Sequence, residues 1–324
     1  MPARSTSVGP ASSGRRVALM TDAPGWHTRE LQRALRERGC SGRCIDLADC
    51  RIDTTQSRHG LVLPGYGDRL PDAVLVRGIA GGTFEQVTMR LGILHALREL
   101  GMPVYNDARA IERSVDKSMT TLLLHAAGVP MPPTWAMEST AHAQRLVTRE
   151  SAARRSLVLK PLFGSQGKGL QRLGWVDDAH VALPDLAAPY GELAYLQRFI
   201  GPLAQPGHDW RVLVVGGRAV AAMRRVSTHW VHNVAQGARC VPQSLGDDTG
   251  QALAALAQAA ARALELDYAG IDLLPTRDGP QVIEVNGVAA WHGLQRVTPI
   301  DIAGLIVNDL LDRKLAASAV RRHA

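Results

Sequence analysis

Residues 268–286 read YAGIDLLPTRDGPQVIEVN, two apolar runs joined by the turn-forming Thr276–Gly279 (TRDG). The pattern predicts strands over Ala269–Leu274 and Gln281–Asn286. Three polar side chains interrupt them: Asp272, Glu284 and Asn286. Glu284 and Asn286 are two residues apart, so on a strand both point to one face. A hairpin folded about Asp278 places Asp272 directly across from Glu284. Two carboxylates and an amide oxygen at one spot form the oxygen-only donor set that Mg²⁺ prefers, with nucleotide phosphates completing its octahedron. Buried carboxylates need a partner or a metal. Two acids facing solvent on edge strands is the alternative.

Upstream, Val158–Gln171 reads VLKPLFGSQGKGLQ. A strand over Leu157–Pro161 carries Lys160, and Gly164, Gly167 and Gly169 then alternate with polar residues before a second strand, Leu170–Trp175. A glycine loop lets backbone N–H groups approach phosphate oxygens closely. It is not a P-loop, because Gly167–Lys168 would require glycine at 162 and Ser or Thr at 169, where Leu162 and Gly169 stand. A flexible hairpin turn is the plainer reading. Further strands are expected over Ala194–Ile200 (AYLQRFI), Trp210–Val215 and Ala219–Arg225. Arg211, Arg224 and Arg225 bring guanidinium groups onto strands, suited to phosphoryl or carboxylate oxygens or to plain solvation.

The chain around these motifs has 324 residues, 46% hydrophobic and 21% charged, enough for two or three packed lobes. Strand–helix alternation over roughly the first hundred residues predicts an open parallel α/β sheet: strands at Arg16–Thr21, Arg43–Leu47, Ala73–Arg77 and Pro103–Tyr105, helices at Thr28–Arg38 and Phe84–Leu100. Leu61–Pro71 reads as loop. Asn106 to Gly128 is expected to be mostly helical, Val129–Pro133 breaks it, and short strands then dominate. Ser139–Arg149, Ala252–Leu264 and Ile300–Lys314 are the later helices.

The net charge is +7, yet only four lysines exist (Lys117, Lys160, Lys168 and Lys314) and arginine supplies the other 33 basic residues. These are dispersed and aromatics are only 4%, which argues against a nucleic-acid surface and suits a cleft that receives polyanions. No apolar run approaches the roughly 18 residues that cross a bilayer, and Met1–Arg16 has no apolar segment of a signal peptide. A cytoplasmic protein with no membrane partner is expected. Cys40, Cys44, Cys50 and Cys240 lack the second ligand pair a zinc site wants and read as reduced thiols.

Taken in order, the motifs resemble the ATP-grasp superfamily, and within it the RimK-like ligases. The resemblance runs from about Asp72 to the final helix. It rests on Val115–Lys117 (VDK), Ala127–Pro130 (AGVP), VLKPLFGSQGKG, LQRFI, DWRVLVV, MRR, a polar stretch with Asn233, YAGIDLL and VIEVN. It implies a fold of both α/β and α+β character: an N-terminal α/β pre-ATP-grasp lobe, then a two-lobed ATP-grasp fold. The implied boundaries are a disordered tail at 1–15, a pre-ATP-grasp domain at 16–108 and an ATP-grasp domain at 109–317. Within the last, the lid spans about 130–197 and the C-terminal lobe about 198–317.

The resemblance also assigns roles. Lys117 and Lys160 are similar to the lysines that hold ATP phosphates. Gly164, Ser165, Gly167, Lys168 and Gly169 resemble the loop that closes over the triphosphate, and Gln197, Arg198, Phe199 and Ile200 the hinge whose backbone reads adenine. Asp272, Glu284 and Asn286 match ligands for two ions of Mg²⁺ or Mn²⁺. Arg225, Arg211 and Asn233 match groups near the γ-phosphate and the acyl-phosphate intermediate.

The implied activity joins a carboxylic acid to an amine, with ATP, an amino acid (L-glutamate) and an acidic acceptor as partners. Related ligases often assemble as dimers or tetramers. Val76–Leu97 and Val104–Lys117 resemble ligases that add glutamate to tetrahydromethanopterin-type pterins, with Arg77 and the Gly81–Gly82 loop shaping the acceptor site. The rival readings are a glutathione-synthetase-like ligase, a protein C-terminal glutamylating enzyme and a nucleotide-binding protein without catalysis. Two departures stand out: the bulky Trp291–His292 after the EVN signature, and Arg198 where an acidic residue is frequent. Both point to an acceptor other than a generic peptide end.

Overall fold

The computed structural model describes residues 14–56, 58–164, 167–187 and 190–317. Residues 1–13 of the expected tail lie outside them. Chain contacts divide the protein into two compact units, one running up to Tyr105 and taking in Val307 onward, the other Asn106–Ile306.

The first unit contains β1 (Arg16–Met20), α1 (Trp26–Glu37), β2 (Ser41–Ile45), β3 (Arg51–Ile52), β4 (Leu61–Val62), β5 (Ala73–Val76), α2 (Phe84–Glu99) and β6 (Val104–Tyr105). Its main sheet has the order β2-β1-β5-β6 with every pairing parallel. The expected open parallel sheet is therefore present. Val17–Met20 and Ala73–Val76 are fully buried, as a strand covered on both faces requires. Thr83 caps α2, its hydroxyl accepting from the Gln86 N–H while the Gln86 side chain accepts from the Thr83 N–H. The stretch expected to be loop at Leu61–Pro71 begins with β4, which pairs β3. The four cysteines are free thiols, and burial pushes Cys50 up to about 12.

In the second unit the stretch expected to be mostly helical is two helices, α3 (Ala108–Val115) and α4 (Lys117–Ala126). Asp116 makes the break, its carboxylate accepting from the N–H groups of Ser118 (2.8 Å) and Met119 (3.1 Å) as the cap of α4. The cap places Lys117 at the first position of that helix.

There follow β7 (Thr134–Met137), α5 (Thr140–Ala152), β8 (Ser156–Lys160), β9 (Gln171–Val176), β10 (Ala179–Val181) and β11 (Ala194–Arg198), which form an antiparallel sheet of order β10-β9-β8-β11-β7. Ala143, Leu146 and Val147 of α5 pack on Leu157, Leu159, Leu173 and Leu196 to make its core.

The second antiparallel sheet has the order β14-β13-β12-β15-β16. Its strands are β12 (Gly207–Val215), β13 (Arg218–Ser227), β14 (Arg239–Gln243), β15 (Tyr268–Leu274) and β16 (Gln281–Asn286). β7, β10 and β14 are not anticipated by the sequence pattern. β14 contains Pro242, which is tolerated because this strand lies at the sheet edge.

Helix α6 (Asp248–Ala263), capped by Asp247, lays Leu253, Ala257, Ala260 and Ala261 on Val212, Val214, Ile271 and Leu273. The chain ends in α7 (His292–Gln295), α8 (Ile302–Asp309) and a π-helical turn over Leu310–Leu315. Among the described residues, no helix is long and apolar enough to cross a membrane.

Candidate active site

Strand register assembles the site. Asp209 on β12 opposes Arg225 on β13, Arg211 on β12 opposes Asp272 on β15, and Asp272 opposes Glu284 on β16. Opposed residues share a face, as do residues two apart along one strand. Arg225, Asp209, Arg211, Asp272, Glu284 and Asn286 therefore form one polar stripe across four strands, over a sheet whose other face packs on α6. A bulge after Asp272 leaves Ile283 as an extra residue of β16 and keeps Glu284 across from Asp272.

The stripe is bonded internally. Arg211 donates from Nε to Asp272 Oδ1 and from Nη2 to Oδ2, both at 2.7 Å. Arg225 donates from Nε to Asp209 Oδ1 at 2.7 Å and from Nη2 to Asp209 Oδ2, and its Nη2 pairs ionically with Asp272 Oδ2 at 2.9 Å. Asp209, Arg225 and Asp272 are all buried. Asp272 meets two guanidinium groups, which hold it below the usual carboxylate range against the cost of burial. Asp209 meets Arg225 at close range, and burial together with the Asp272 charge pushes it up to about 7.

A cleft opens over this stripe. Lys117, Lys160, Gly164, Gly167, Lys168, Gln197, Arg198, Phe199, Ile200, Arg225, Asn233, Asp272 and Glu284 all line it. Thus most residues singled out from the sequence meet at one place. Arg211 and Asn286 are not among the lining residues, and neither is Gly169, whose carbonyl accepts from the Tyr190 hydroxyl. Ser165 lies outside the described residues.

Burial lowers the pKa of both site lysines, Lys160 to about 8, with the Lys117 charge adding to the effect and Glu284 opposing it. Lys117 Nζ donates to the carbonyls of Leu162 (3.1 Å) and Gly164 (3.0 Å), at the start of the glycine loop. Gly167 has φ +71°, and a Cβ there would stand 2.8 Å from Val231 Cγ1 and 2.9 Å from Asn233 Oδ1. Only glycine fits such a position.

The expected hinge divides by function. Arg198 N–H donates to Pro133 O (2.8 Å) and Phe199 N–H to Ser156 O (2.9 Å), so both are committed to the sheet. Among the described residues, Ile200 N–H has no such partner. The Arg198 side chain turns to Glu150 of α5, with Nε and Nη2 at 3.1 and 2.9 Å.

The structure adds a side-chain role for Gln197 and three residues that the motifs did not assign. The Gln197 side chain accepts from Lys160 Nζ at 2.7 Å and donates to Thr134 Oγ1 at 3.1 Å, so it orients a lysine. Asp209 was legible only as a charge inside an apolar strand. His232 lines the cleft, buried, with Nε2 lacking a partner among the described residues, and burial lowers it to about 4. Buried Asn106 holds the hairpin at its base. Its Nδ2 donates to Tyr268 O and Gly287 O, and its Oδ1 accepts from the N–H groups of Asp267 and Tyr268.

The reading of Trp291 as a mark of an unusual acceptor is corrected. Its side chain is buried, edge-on to Tyr268 at 6.3 Å, and serves the core.

Residues 16–111 match the RimK PreATP-grasp domain and residues 114–310 the RimK-like ATP-grasp domain. The tetrahydromethanopterin:alpha-L-glutamate ligase of Methanosarcina acetivorans is 30% identical over 314 residues, covering 85% of this chain and 92% of that protein. A probable alpha-L-glutamate ligase of Legionella pneumophila is 29% identical over 304 residues, covering 90% and 94%.

Among solved structures, the ATP-grasp ligase PsnB complexed with minimal precursor, Mg and ADP aligns with a TM-score of 0.65 at 20% identity, over 94% of this chain and 98% of that one. A RimK domain ATP-grasp protein from Sphaerobacter thermophilus aligns at 0.64 and 22%, over 90% and 98%. With a parallel-sheet lobe, two antiparallel sheets and these matches over nearly its whole described length, the chain belongs to the RimK-like ATP-grasp family and is an ATP-grasp ligase.

Proposed function

We propose that the protein adds L-glutamate to a small acidic acceptor of the tetrahydromethanopterin-like pterin class, forming an amide bond through an acyl phosphate. The polar stripe Arg225–Asp209–Asp272–Glu284, in the same cleft as Lys117 and Lys160 and braced by Arg211, carries this reading. The glutamate and pterin assignments draw support from the names of the relatives.

In this reading the lid is 130–197 and the C-terminal lobe 198–317. Lys117 and Lys160 hold the ATP phosphates, with Lys168 and the glycine loop over them. Ile200 N–H, rather than that of Arg198 or Phe199, donates to the adenine ring. The donor set fits Mg²⁺: two carboxylates on facing strands and the Asn286 amide, all oxygen ligands. Asp272, Glu284 and Asn286 would hold two such ions with the nucleotide, and the ions supply charge stabilisation for phosphoryl oxygens.

A carboxylate is a poor electrophile. Its oxygen first attacks the γ-phosphorus and ADP leaves, giving a mixed anhydride. The amine nitrogen then attacks the acyl carbon and phosphate departs. Arg225, held by Asp209 and Asp272, and Asn233 present fixed donors to the developing charge, which costs no reorganisation at the moment of reaction. Arg211 acts from behind, fixing Asp272. The glycine loop keeps water from the anhydride.

The test is ADP release with Mg²⁺ and ATP, with L-glutamate or other amino acids paired against pterin, peptide and thiol-precursor acceptors. Release that requires L-glutamate and a pterin supports the reading. Release with a peptide or thiol precursor alone replaces the acceptor, and nucleotide binding without release under every pairing overturns it.

A further inference from the structure

Beside the cleft a charged cluster surrounds the buried Glu150, and one of its members, Arg198, also lines the cleft. This carboxylate sits on α5 with its side chain 1% exposed, yet it is not among the residues that line the cleft. Three arginines converge on it. Arg155 donates from Nε to Oε2 at 2.7 Å and from Nη2 to Oε1 at 3.1 Å. Arg198 donates from Nε and Nη2 to Oε2 at 3.1 and 2.9 Å, and Arg149 reaches Oε1 at 3.3 Å. The Trp135 ring carries the guanidinium groups of Arg149 and Arg198, each 5.8 Å from its centroid.

What Glu150 ties together is specific. Arg155 precedes Ser156, whose carbonyl accepts from Phe199 N–H, while Arg198 N–H donates to Pro133. One of the two backbone segments that hold residues 198–199, Arg155–Ser156, is therefore tied to Arg198 itself through one buried carboxylate. The next residue along is Ile200, which lines the cleft and whose N–H has no backbone partner among the described residues. A side chain held from one side by a carboxylate and from the other by an aromatic ring has little rotamer freedom, so the backbone that carries it is fixed as well.

We infer that Glu150, although it touches no nucleotide, is a positioning residue that sets adenine recognition by fixing Arg198 and thereby the Ile200 N–H. The inference rests on the reading of 197–200 as the adenine hinge. Adenine offers a ring nitrogen acceptor beside an amino donor, and inosine and guanine reverse that order at the same edge. A displaced hinge therefore weakens ATP more than ITP, whereas general loss of lid structure weakens both alike.

The experiment measures KM for ATP and for ITP, and kcat, in wild type, Glu150→Gln, Glu150→Asp, Arg198→Met, Arg155→Met and the Glu150→Gln/Arg198→Met double variant, each first checked for cooperative melting. The expected results are a rise of about tenfold in the ATP KM of Glu150→Gln with little change in kcat, and a shrunken ITP/ATP ratio. Arg198→Met should match it, the double variant should be no worse than either, Glu150→Asp should recover part of the ratio, and Arg155→Met should melt earlier with the ratio intact.

A folded Glu150→Gln enzyme with the wild-type ITP/ATP ratio overturns the inference, as do additive effects in the double variant. Failure of the hinge reading itself is distinguishable, because the wild-type enzyme would then accept ATP and ITP equally.

Discussion

Asp272 faces Glu284 across the β15–β16 ladder, but its carboxylate is already engaged by Arg211 and Arg225. A carboxylate has about four lone-pair positions, and two hydrogen bonds from Arg211 together with the Arg225 ion pair leave little room at this one. Two cations already balance the charge of this buried group, so in the proposed reading a metal would enter together with phosphate rather than as a bare divalent ion.

Mg²⁺ alone should accordingly bind weakly. Calorimetric titration is expected to show no saturable Mg²⁺ binding to the free enzyme at low millimolar concentration, and clear binding once a non-hydrolysable ATP analogue is present. Tight binding without nucleotide would show that the arginines release Asp272 on their own.

Glu284→Ala removes the facing carboxylate without opening the core, because the residue is only partly buried. We expect ADP release to fall by about 10³-fold or more, with melting within a few degrees of wild type. A variant that retains turnover would remove Glu284 from the metal set.

Lys160 gives the pH dependence. Its pKa in the folded protein is lowered to about 8, mainly by burial, so the charged form is disfavoured there and is lost as pH rises through that value. In the proposed reading, phosphate binding needs the charge. The ATP KM is expected to be flat below about pH 8 and to climb by up to about tenfold per pH unit above it. Lys160→Arg, which stays charged, should remove the inflection. Equal pH profiles in the two proteins would place the titration elsewhere.

Asn106→Ala deletes four hydrogen bonds to buried backbone at the root of the site hairpin. A loss of about 3 kcal/mol is expected, measured by urea unfolding. A loss under about 1 kcal/mol would mean that water or a shifted side chain replaces the amide.

Much of this protein was determined by sequence alone, because the signals are local. Alternation of apolar and polar residues marked the Asp272–Glu284 hairpin, although the bulge after Asp272 that brings Glu284 across from it is not announced by the turn. Glycine spacing after Lys160 marked the loop, and strand–helix alternation marked the parallel sheet. The tertiary structure decided what depends on neighbours distant in the chain. Arg211 lies 61 residues from Asp272, and nothing local says that it anchors that acid instead of facing the cleft. Arg198 is legible as a hinge residue, but not that Glu150, 48 residues away, holds its side chain, and nothing local shows that the Trp291 ring is buried against Tyr268. β14 is too short and too polar to announce itself, and pairing with β13 alone makes it a strand. Backbone periodicity is written into neighbouring residues, whereas the partner of a buried charge is set by which strands the fold lays side by side.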